Sequence, residues 1–82
     1  MSLATPLICG VDAATPFRSA AVHSFFAKTA GTITITKFTG GTVVLDAFPV
    51  TAGQWIELEM NVDTNGGTIT TAGGASGTLT LY

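Results

Sequence analysis

Polar and apolar residues alternate along most of this chain with the period of two that a β-strand imposes. The clearest case is 54–62, where Ile56, Leu58 and Met60 fall on one face and Trp55, Glu57 and Glu59 on the other. Residues 32–38 repeat the pattern as Thr-Ile-Thr-Ile-Thr-Lys-Phe, and shorter β-type runs cover 22–27, 42–48, 68–71 and 78–82. Glycine turns separate them: Thr39-Gly40-Gly41, the Phe48–Gly53 segment in which Pro49 closes a strand, and the Ala72–Gly77 stretch. Asp63-Thr64-Asn65-Gly66-Gly67 carries the Asn-Gly step that best tolerates a type I′ turn and predicts a hairpin. Runs at this spacing, without a helical period, predict an all-β protein: a small antiparallel β-sandwich or jelly roll of about six to eight short strands. The expected core combines Ile33, Ile35, Val43, Leu45, Leu79 and Leu81 with the Ile56, Leu58 and Met60 face. Fifteen threonines suit the pleat and keep outer faces wet without charge.

The first twenty residues read differently. Thr5-Pro6 and Thr15-Pro16 each push the residue before proline into extended conformations. No helical period or strand alternation spans the segment, although a short strand fits Leu7–Cys9. The expected organisation is therefore an extended arm over residues 1–20 and a β-sandwich domain over 21–82. Ordering such an arm costs roughly 1–2 kcal/mol per residue in backbone entropy, which contacts must offset. Leu3, Leu7, Ile8, Val11 and Phe17 are its apolar groups and predict docking on another polypeptide.

Composition narrows the chemistry. Eighty-two residues make one domain with a small core, burying roughly 60% of the unfolded surface. Cys9 is the single cysteine, so no intrachain disulfide exists, and a lone thiol fits a reducing cytoplasm. Three basic residues are too few for a nucleic-acid footprint. The apolar runs are too short to span a membrane, and the N-terminal segment lacks the basic start of a signal peptide. His23 and Cys9 lack metal-site spacing, and nothing in the sequence joins either of them to an orienting carboxylate. Asp63-Thr64-Asn65-Gly66 resembles the start of a calcium loop, but Gly74 stands where the bidentate glutamate belongs. The glycine runs match no phosphate-binding fingerprint. No catalytic residue, metal or cofactor is expected. Trp55, beside Glu57 and Glu59 on a presumed outer face, suits a protein–protein anchor or a sugar-stacking platform, and the small core favours the subunit interface.

Taken together, the runs Thr32–Ile35, Gly41–Leu45, Phe48–Leu58, Asn65–Thr70 and Gly77–Tyr82 make the 22–82 segment resemble the small all-β virion proteins of tailed bacteriophages, capsid decoration (cement) proteins among them. The resemblance implies a non-enzymatic homotrimer on the capsid surface, made in the host cytoplasm, that clamps neighbouring major capsid protein subunits. The competing expectations are a small carbohydrate-binding module presenting Trp55, or another head or tail component of the virion.

Overall fold

The computed structural model describes residues 5–82, all of them in strands and the turns between them. Eight strands follow in order: β1 (Thr5–Cys9), β2 (Ala14–Phe17), β3 (Ala21–Thr29), β4 (Gly31–Lys37), β5 (Val43–Val50), β6 (Trp55–Asn61), β7 (Gly67–Ala72) and β8 (Ser76–Leu81). They form two four-stranded antiparallel sheets, β1-β8-β3-β6 and β2-β7-β4-β5. The pairs β1–β8, β2–β7, β3–β6 and β4–β5 are those of one long hairpin rolled into two layers, the jelly-roll arrangement.

That topology corrects one expectation. The Asp63–Gly66 turn is tight, with the Gly66 amide donating to the Asp63 carbonyl at 2.8 Å, yet it makes no hairpin. It carries the chain from β6 in one sheet to β7 in the other. Turn chemistry sets a local reversal; which strands then pair depends on which faces need burial. The Gly40-Gly41 turn does close a hairpin, between β4 and β5.

Between the sheets lie Val22, Phe25 and Ala27 from β3, Ile33 and Ile35 from β4, Ile69 from β7 and Leu79 and Leu81 from β8. Leu45, Ile56, Leu58 and Met60 pack against this core and are only partly buried, because β5 and β6 are edge strands. Val43 departs from expectation and is exposed. It opens β5 opposite Thr36, beyond a register slip at Ile35, and shares the outer face with that threonine. Pro49 lies within β5, an edge position where its missing N–H is tolerated.

Residues 5–9 and 14–17 are extended, as their Thr-Pro steps predict, with a turn at 11–12 between them, but they do not stand off as an arm. β1 pairs along β8 and β2 along β7, so each becomes an edge of one sheet. Cys9 and Phe17 are buried in the domain's own core and Leu7 packs against it. The buried Thr71 hydroxyl donates to the Gly10 carbonyl at 2.6 Å and accepts from the Ala13 amide at 3.0 Å, fastening the β1–β2 loop to β7. The cost of ordering this segment is thus offset within the chain. Leu3 lies outside the described residues.

Candidate functional site

The two broad outer faces differ in chemistry. Because Ile33, Ile35 and Ile69 point inward, Thr32, Thr34, Thr36, Thr68 and Thr70 cover the outside of the β2-β7-β4-β5 sheet with hydroxyls. The β1-β8-β3-β6 sheet instead exposes an apolar row. Ile8 is opposite Thr78, Thr78 opposite Phe26 and Phe26 opposite Trp55, so one register level crosses all four strands. Ile8 is 73% exposed, Phe26 45% and Trp55 54%. A shallow depression of about 450 Å³ runs beside the row, walled by Ile8, Val11, Phe26 and Lys28. Of the apolar groups singled out near the N-terminus, Ile8 and Val11 therefore reach this face, while Leu7 and Phe17 belong to the interior.

At the β6 end of the face, two irregularities gather a polar cluster. A bulge between Val22 and Ser24 leaves His23 without a ladder partner, and Glu59 sits at φ 47°, a conformation costly for a non-glycine residue. His23 Nε2 lies 3.3 Å from Glu59 Oε1, and its Nδ1 lies 2.9 Å from the Ser24 hydroxyl. The Tyr82 hydroxyl donates to Glu59 Oε2 at 2.5 Å. The His23 ring meets Tyr82 edge-on at 5.3 Å between centroids and tilts against Trp55 at 6.3 Å. The Glu59 carboxylate holds the Tyr82 proton, by the hydrogen bond first and its charge afterwards, and pushes the phenol pKa up to about 12.

Sequence spacing did not bring Ser24, His23 and Glu59 together; the bulge did, and a bulge leaves no composition signal. The trio has the order of a nucleophile, a base and an orienting acid. Its serine, however, is only 2% exposed and lies beneath an open sheet face rather than at the bottom of a cleft. Trp55, Glu57 and Glu59 all occupy the outer face, and Glu57 stands directly across from Ser24.

Asp63 accepts from the Thr39 hydroxyl at 2.9 Å, a bond that holds its carboxyl below the usual range, and its turn serves the β6–β7 crossing. Burial pushes the Cys9 thiol up, away from the thiolate that nucleophiles and metal ligands require. Among the described residues no buried side-chain polar atom lacks a partner, and no three His, Cys, Asp or Glu side chains converge as metal ligands. No helix among them is long and apolar enough to cross a membrane. No protein family, curated protein or solved structure matches the chain, so a functional reading rests on its own residues.

Proposed function

We propose that this chain is a non-enzymatic structural protein of a virion shell, a decoration protein that adds protein–protein contacts across joints between major capsid protein subunits and between its own copies. The observation that carries this reading is the asymmetry of the slab: one broad face is covered mainly by threonine, with Val43 exposed at its β5 edge, and the other exposes Ile8, Phe26 and Trp55 at one level, with Thr78 between Ile8 and Phe26. A protein that works by adding contact energy needs an adhesive face and a wet one, and its effect arises by mass action on the assembled state. Jelly rolls are a recurrent architecture of shell proteins, and the likeness of the 22–82 segment to phage virion proteins points the same way.

The test is binding to empty shells of the major capsid protein from the same genome. The expected result is saturable binding at a fixed stoichiometry and a higher temperature of shell opening. A second reading draws on Trp55, Tyr82, Glu57 and Glu59, whose aromatic planes and carboxylates could meet a saccharide. The row is less suited to that ligand, because from Trp55 it crosses Phe26 and Thr78 to the aliphatic Ile8 at the opposite edge, too far to serve one sugar ring. Failure to bind shells, together with a Trp55 fluorescence response to saccharides, would establish the second reading instead.

A further inference from the structure

We infer that the apolar face of the β1-β8-β3-β6 sheet is covered by the same face of a second copy, in a two-fold dimer whose axis runs along the Ile8–Phe26–Trp55 row. This rests on the reading of that face as a protein-contact surface and names its occupant as a second copy, so that contact with a shell falls to the surfaces outside this face. The two-fold arrangement departs from the homotrimer that the resemblance implies.

The register supplies the argument. Phe26 and Trp55 share one level; Lys28 lies two residues to one side of it on β3, and Glu57 lies two residues to the other side on β6. At a rise of about 3.4 Å per residue, the two charges stand roughly 7 Å from the row in opposite directions. β3 and β6 are adjacent strands, about 4.8 Å apart. Rotation by half a turn about the row brings the Lys28 of one copy over the Glu57 level of the other. The same operation forms that pair twice, as a two-fold interface requires. The row then stacks on itself, isoleucine near isoleucine and tryptophan near tryptophan. Among the described residues neither Lys28 nor Glu57 has an ion-pair partner within its own chain. Surface ion pairs contribute little energy, but they fix orientation while the apolar row drives association.

Two further features favour the face over the sheet edges. The chain's three prolines, Pro6, Pro16 and Pro49, lie in β1, β2 and β5, which are three of the four edge strands. The fourth edge, β6, carries the positive-φ Glu59. All four edges are therefore blunted against strand addition. The Cα envelope measures 30 × 29 × 17 Å, so the broad face is large enough for the roughly 800 Å² per partner of a standard interface.

Sedimentation equilibrium of the purified protein, with the emission of its single tryptophan followed on dilution, tests the proposal. A species of twice 8.3 kDa with Trp55 emission shifted to the blue is expected. Lys28→Glu and Glu57→Lys should each weaken the dimer at least tenfold, and the double variant should restore it to within about threefold. Phe26→Asp should give a monomer with unchanged far-UV circular dichroism. A monomer at all concentrations, single charge reversals without effect, or a double variant as weak as its parents would each overturn the dimer. A trimer would overturn the two-fold arrangement and leave the protein-contact reading standing. Shell binding is measured separately, so failure there bears on the virion assignment and not on this interface.

Discussion

Truncating Phe17 to alanine distinguishes a docking arm from an integral strand. In an arm that anchors to another polypeptide, Phe17 would contribute nothing to the isolated chain. In the structure it is 3% exposed, at the end of β2, within the shared core. Removing a buried phenylalanine side chain costs about 3–5 kcal/mol, from lost transfer energy and the cavity left behind. A chain of this length has a total stability of roughly 4–12 kcal/mol. Phe17→Ala should therefore consume a large share of the margin. With an m-value of about 1 kcal/mol/M in urea, the midpoint should fall by about 3 M, or the variant should be unfolded without denaturant. Far-UV circular dichroism in a urea series, on a dilute sample to suppress association, gives the reading. Ile8→Ala is the internal control: it comes from the same segment, points outward, and should change stability by less than about 0.5 kcal/mol. A Phe17→Ala midpoint as close to wild type as that of the control would refute the placement of β2 in the core.

Two close approaches and one titration give further checks. A methyl group added at Gly77 would overlap the Phe26 carbonyl oxygen and lie 2.8 Å from the Phe25 ring, so Gly77→Ala should lower the thermal midpoint by about 10 °C or more. Gly66→Ala should be at least as damaging, since Gly66 has φ 88° and an added methyl would meet the Phe17 carbonyl. The phenolate absorbance of Tyr82 should rise with a midpoint near 12, and Glu59→Gln should return it toward the ordinary value of 10.0. Because the folded state holds that proton more tightly than the unfolded state, stability should fall as pH rises from 10.0 to about 12.

Period-two alternation was enough to place six of the strands nearly to their ends, because strands with one buried face print that face on the sequence. It was also enough to set Trp55, Glu57 and Glu59 outside and Ile56, Leu58 and Met60 inside. The N-terminal segment was legible only as extended. Leu7, Ile8 and Cys9 do alternate inward and outward, but three residues are too few to distinguish an edge strand from a linker, and proline is common to both. Pairing partners were hidden for a different reason. A jelly roll joins β1 to β8 and β2 to β7, contacts set by burial at long range that no local turn encodes. The His23–Glu59–Tyr82 cluster depends on a bulge and a strained φ, which arise when packing overrides the regular ladder.

That strain separates the two carboxylates of β6. Left in a regular strand, Glu57 and Glu59 would both stand free on the apolar face, a pair of like charges beside a surface meant to be desolvated. At φ 47° the two oxygens of Glu59 lie on His23 and Tyr82, so each has a partner within the chain. Glu57 keeps its carboxylate at the level where a second copy presents Lys28. The two positions should therefore respond separately. Glu59→Gln should lower the Tyr82 pKa while leaving the monomer–dimer equilibrium within about twofold, whereas Glu57→Lys should weaken association at least tenfold, by about 1.4 kcal/mol, with the Tyr82–Glu59 bond intact. If Glu59→Gln dissociated the dimer as strongly as Glu57→Lys, the division of labour would be wrong, and the cluster itself would be part of the contact.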